Sequence, residues 1–118
     1  MKQVLIFIRP NMYFKTKDAL TVGNFNSMSV KEVLGRGKKG ANFDMTGNGK
    51  EVTSENDNPF VAKKMIEIFC RDEDVDCLIK IVLSINRTGT AGDGKIFVIP
   101  AENGIRIRTA ESGVNSIV

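Results

Sequence analysis

The chain is 118 residues long, the length of one domain with a single hydrophobic core and too short for two. Its 42% hydrophobic and 26% charged residues are those of an ordinary globular protein, and 17 Lys and Arg against 14 Asp and Glu leave a formal charge of +3, far from the density of a nucleic-acid binder. It contains no histidine, which removes Ser/His and Cys/His catalysis and the commonest metal ligand.

Lys2 to Arg9 is dense in Val, Ile and Phe and is stopped by Pro10, the pattern of a strand apolar on both faces. This run is too short for a membrane span or a signal peptide, so a cytoplasmic protein is expected. Asn11 is placed to cap a helix in which Tyr13, Thr16 and Leu20 recur at spacings of three and four, ending at Gly23 and Asn24. Met28 to Val33 reads as a second strand. From Gly35 to Asn58 no apolar period is sustained and glycines stand at 35, 37, 40, 47 and 49, the composition of a long functional loop.

Val61 to Cys70 alternates in its second half, with Met65, Glu67 and Phe69 on one side and Ile66 and Ile68 on the other, and predicts a third strand. Phe7 and Phe69 are expected in the core. Asp72, Glu73 and Asp74 suit the positive end of a helix dipole, and Val75, Leu78, Ile79 and Val82 give the most regular helical stripe in the chain. Lys95 to Ile99 predicts a fourth strand, and Ile105 to Arg108 a short alternating tail strand. The order is that of a single α+β domain over residues 1–118, a ferredoxin-like split βαβ sandwich (βαββαβ) with a long inserted loop. Cys70 and Cys77 lack a zinc-site pattern and are expected as reduced thiols.

Three clusters combine glycine with cations. Gly89 to Lys95 superficially satisfies GxxxxGK, but a helix precedes it, a strand follows, and Ile96 stands where a P-loop has Ser or Thr. It is either a glycine-rich turn or an anion-binding loop, whose exposed backbone N–H groups and Lys95 would suit phosphate. Arg106 and Arg108, on one face of the predicted tail strand, suit polyphosphate equally well if they are not merely solvated. Gly35 to Gly40 carries Arg36, Lys38 and Lys39 as a third such cluster or as a hinge. An ATP-dependent phosphotransferase or hydrolase is the competing class, and it lacks a recognisable base beside a nucleophile. An RNA-binding sheet would need more aromatics on its central strands.

In order and spacing, Arg9-Pro10-Asn11, Met28-Ser29-Val30, Gly35-Arg36-Gly37-Lys38, Glu67-Ile68, Thr88-Gly89, Gly92 to Phe97 (GDGKIF) and Arg106 to Thr109 (RIRT) resemble the PII nitrogen-regulatory proteins. The branch most similar is that of the PII-like proteins encoded beside nitrogenase genes. The resemblance covers nearly the whole chain except the long loop. It implies a non-enzymatic trimeric signal-transduction protein with ATP or ADP, with or without Mg2+, in each intersubunit cleft.

By the same resemblance the nucleotide-binding residues would be Ser29, Gly37, Lys38, Phe69, Thr88, Gly92, Asp93, Gly94, Lys95, Arg106 and Arg108, with no catalytic or metal-ligating residue. Lys38, Lys39 and Lys63 would meet 2-oxoglutarate. The family's T-loop corresponds to residues 37–59, expected to be ordered by effector or target. Lys39, or a gap, replaces a family glutamine that helps hold magnesium and 2-oxoglutarate, and Tyr13 is the only tyrosine, so uridylylation is not expected. The implied partners are further copies of the chain or a sister PII-like subunit, and a target that is nitrogenase, an ammonium transporter or a nitrogen-metabolism enzyme. Neither nucleic acid nor direct membrane insertion is implied.

Overall fold

The computed structural model describes residues 1–36 and 60–118. Strand β1 (Lys2–Ile8) leads through a 3-10 turn (Pro10–Met12) into helix α1 (Tyr13–Val22), followed by β2 (Ser29–Gly35). Strand β3 (Val61–Cys70) then passes through a second 3-10 turn (Asp72–Asp74) into α2 (Val75–Asn86) and β4 (Lys95–Pro100). The four strands form one sheet in the order β2-β3-β1-β4, antiparallel at every pairing. This is the expected βαββαβ arrangement. No helix among the described residues is long and apolar enough to cross a membrane.

One sheet face is covered by the two helices and the other is open. Val4, Ile6 and Ile8 of β1 and Ile66, Ile68 and Cys70 of β3 point to the helices, where Leu20 of α1 and Leu78 and Val82 of α2 complete the core. Sequestering a side chain such as Leu78 from water contributes about 1.5–3 kcal/mol, and these contacts set the orientation of the whole sheet. The α2 stripe is therefore a core stripe. A buried polar tie joins the helices: Asn86 donates to Thr16 Oγ1 at 3.0 Å and to the Val82 carbonyl at 3.0 Å. Cys70 is buried and Cys77 exposed, both as free thiols, and burial pushes the Cys70 thiol up from its ordinary pKa.

Three local expectations are corrected. Asn11 is not a helix cap: Pro10 starts a 3-10 turn, for which its fixed φ is suited, and α1 begins two residues after Asn11 with no side-chain cap bond. Phe69 is not in the core but 44% exposed, because residues of odd number in β3 face the open side; Phe7, on the same face of β1, is partly buried against Phe97. The tail strand is absent. Ile105 makes a single bridge to Ser112, and the backbone reverses between them through bonds linking Arg106 to Glu111 and Ala110, with Ala110 in the left-handed region at φ 60°. Arg106 and Arg108 therefore do not share the face of a strand. The expected long loop and its residues Gly37, Lys38 and Lys39 lie outside the described residues.

Candidate functional site

The glycine loop between α2 and β4 is shaped around one carboxylate. Asp93 accepts hydrogen bonds from the backbone N–H of Thr88 at 2.7 Å and of Gly89 at 2.9 Å, from the Thr88 hydroxyl, and from Arg9 Nη1 at 2.7 Å. These donors, the Thr88 hydroxyl foremost, hold its carboxyl well below the usual carboxylate range. Asp93 thus faces into the loop and braces it. The backbone N–H groups of Ala91 and Gly92 meet no acceptor among the described residues, and Lys95 is exposed on the first residue of β4.

Gly94 explains why the loop leaves at this angle. Its φ is +113°, and a Cβ built there would lie 1.8 Å from the Phe7 carbonyl oxygen, so only glycine lets the loop press onto β1. The same register sets the charges beside it. Phe7 pairs with Met65 on one side and Lys95 on the other; two residues further along, the same register carries Arg9 between Lys63 and Asp93. Arg9 reaches the Ala91 carbonyl at 3.0 Å and the Thr90 hydroxyl at 3.3 Å as well as Asp93. Lys63 donates to the Gly92 carbonyl at 2.6 Å. Its pKa is lowered by burial first and by Arg9 second, against the opposing pull of Asp93.

A second group of candidates gathers elsewhere on the open face. Ser29 of β2 stands opposite Glu67 of β3, and with Phe69, Arg106 and the segment Ser116–Val118 they enclose a cleft of about 440 Å³. Arg106 donates to the Val118 backbone carbonyl and pairs with Glu111 at 3.4 Å. Lys63 and Glu67, which mark the two groups, are four residues apart on β3, about 13 Å at the rise of a strand. The loop and the cleft are separate on one chain. Arg108 is exposed in the turn after Arg106 and lines neither. A groove of about 430 Å³ behind the loop is lined by Asp93, Gly94 and Lys95 of the loop, by Asn86 and Arg87, and by the apolar Ile79, Val82, Leu83, Ile96 and Val98.

Sequence reasoning noticed Arg9 only as part of a motif and assigned it no role. The signal was its position just past a strand end and before Pro10, but its partners are more than eighty residues away. Its role is visible only once β1 and β4 are paired.

The chain thus presents a two-layer ferredoxin-like sandwich with a carboxylate-braced glycine loop at one sheet end. The family model described as "Nitrogen regulatory protein P-II" matches residues 1–111. Among curated relatives, "Nitrogen fixation nifHD region GlnB-like protein 2" of Methanobacterium ivanovii is 36% identical over 122 residues, covering 100% of both chains. The protein of the same name from Methanothermococcus thermolithotrophicus is 38% identical over 122 residues, covering 96% of this chain and 95% of its own. "Nitrogen regulatory protein P-II 2" of Methanothermobacter thermautotrophicus is 35% identical over 117 residues, covering 99% and 97%. The chain belongs to the P-II family of nitrogen regulatory proteins. These are signal-transduction proteins and not enzymes, and its relatives include those of nitrogen-fixation regions.

Proposed function

We propose that the protein is a cytoplasmic sensor of adenine nucleotide that assembles as a trimer, alone or with a sister PII-like subunit, and closes each nucleotide site between neighbouring copies. The observation that carries this reading is the division of the candidate residues. The loop carrying Thr88, Gly92, Gly94 and Lys95 has the donors and charge for phosphates, whereas the cleft of Ser29, Phe69 and Arg106 has an aromatic face and a guanidinium for the rest of a nucleotide. At about 13 Å apart on one chain they are complementary halves, and a second copy unites them. The open face supplies the apolar surface for such an assembly: Phe69, Phe97 and Ile99 are all more than a third exposed.

ATP, carrying Mg2+ on its phosphates, and ADP would compete for the site. The two states would differ in how the 37–59 segment is presented to a target, so that unequal affinity of each nucleotide for the two arrangements makes the switch. The names of the relatives point to nitrogen fixation, and nitrogenase is the target we favour over an ammonium transporter or another nitrogen-metabolism enzyme. Lys63, with Lys38 and Lys39 from the long segment, would receive 2-oxoglutarate, exchanging the Gly92 carbonyl for a carboxylate.

Calorimetry with ATP and ADP, each with and without 2-oxoglutarate, tests the reading. Lys95→Ala should weaken ATP binding by about 1.5–3 kcal/mol, the range of a charge-assisted hydrogen bond, and Arg106→Glu should abolish it. Co-expressed, the two variants should form mixed assemblies that regain part of the sites, since one copy still offers an intact loop and its neighbour an intact cleft. Wild-type ATP affinity in either folded single variant overturns the proposal.

A further inference from the structure

Resting on that reading of the loop as the phosphate-binding half, we infer that Arg9 is a positioning residue for nucleotide phosphate, acting through Asp93 and the loop backbone rather than by touching the ligand. From the end of β1, Arg9 reaches the loop at three residues, Thr90, Ala91 and Asp93. One guanidinium nitrogen bonds Asp93 at 2.7 Å, and the other bonds the Ala91 carbonyl at 3.0 Å and the Thr90 hydroxyl at 3.3 Å. Both partners of the ion pair are about one-fifth exposed, so the pair is shielded enough to hold a defined geometry.

Each of these contacts selects which loop groups remain for an anion. By drawing Asp93 inward, Arg9 keeps the carboxylate on the Thr88 and Gly89 N–H groups. Left to itself, a carboxylate at that position is free to swing toward the face where phosphate would sit and repel it. By holding the Ala91 carbonyl, Arg9 orients the peptide that follows, whose N–H belongs to Gly92. The result is a loop with its negative charge and one carbonyl turned toward Arg9 and with N–H groups left for phosphate. Lys63, on the Gly92 carbonyl, holds the same loop from β3 but makes no bond to Asp93.

This role is specific to charge on the ligand, which separates it from simple loop stability. Calorimetry on the assembled protein with ATP, ADP and adenosine should be run for wild type, Arg9→Ala, Arg9→Lys and Asp93→Asn. Arg9→Ala is expected to weaken ATP binding about tenfold, the equivalent of ~1.4 kcal/mol, with a smaller loss for ADP and less than about a twofold change for adenosine. Arg9→Lys should recover part of the ATP loss, because an ammonium pairs with Asp93 but does not also span Thr90 and Ala91. An Arg9→Ala protein that binds ATP as wild type does, or that loses ATP and adenosine equally, overturns the inference. Should Arg9→Ala fail to fold, Arg9→Lys decides by the same comparison, because it keeps a cation for Asp93 but not the fork that spans Thr90 and Ala91; Asp93→Asn, which cannot repel phosphate, should lose less ATP affinity than Arg9→Ala. If wild type itself binds neither ATP nor ADP, the nucleotide reading falls, and this inference with it; if wild type binds and the variants show no phosphate-dependent loss, only the Arg9 assignment falls.

Discussion

Asp93 and Gly94 are adjacent and do opposite things with their backbone and side chain. Asp93 fixes the inside of the loop by gathering donors, and Gly94 lets the chain cross β1 where no Cβ fits. Because the folded-state pKa of Asp93 is depressed, its contribution to stability is complete above the unfolded carboxylate value of about 3.9 and is lost as pH falls toward the lower folded value. The stability difference between wild type and Asp93→Asn should therefore be constant at neutral pH and shrink in acid below about pH 4, read from denaturant midpoints across that range. A difference that is unchanged in acid would mean that Asp93 acts by shape alone. Gly94→Ala should lower stability by more than about 1 kcal/mol, since both the positive φ and the contact with the Phe7 carbonyl oppose a Cβ. An unshifted midpoint would show that β1 gives way at no cost.

Among the elements, α2 contributes a buried stripe, and β1 and β3 are the two central strands, each paired on both edges. Leu78 is fully buried between α2 and the sheet, and Leu78→Ala should cost about 2–5 kcal/mol by calorimetric or denaturant unfolding of the assembled protein. The Thr16–Asn86 pair tests a weaker and more directional tie. Thr16→Val removes the acceptor of the Asn86 amide inside the helix layer and should cost about 1–3 kcal/mol, the penalty for a buried polar group losing its partner. A neutral effect would show that the bond to the Val82 carbonyl suffices. These elements also position the site: β3 carries Lys63 at one end and Glu67 and Phe69 toward the other, so a single strand links loop and cleft.

For the whole molecule the open sheet face is the feature that a lone chain leaves unresolved. Phe97 sits on β4 with its ring edge-to-face against Phe7, 47% exposed and flanked by Ile99. Light scattering should find three copies of the 13.0 kDa chain. Phe97→Glu, which puts a charge on that apolar face, should shift the mass toward the monomer and weaken ATP binding in parallel. A monomeric variant with full ATP affinity would refute a site shared between copies.

Much of this was legible before any folding, because it rests on local chemistry. The odd-even alternation of β3, the i, i+3, i+4, i+7 stripe of α2 and the stops at Pro10, Gly23 and Pro100 are written in neighbouring residues, and they place the strands and helices within a residue or two. The family followed from GDGKIF and RIRT at their spacing. What only the tertiary structure decided depends on residues far apart in the chain. Phe69 is as apolar as its buried neighbours, and whether it meets helices or solvent is set by which sheet face they cover. Arg106 and Arg108 look like strand residues until the chain reverses at Ala110, a left-handed backbone that the alternating pattern before it does not announce. Arg9 acquires its part from the pairing of β1 with β3 and β4, which brings Lys63 and Asp93 to its two sides; no local pattern encodes a contact across more than eighty residues.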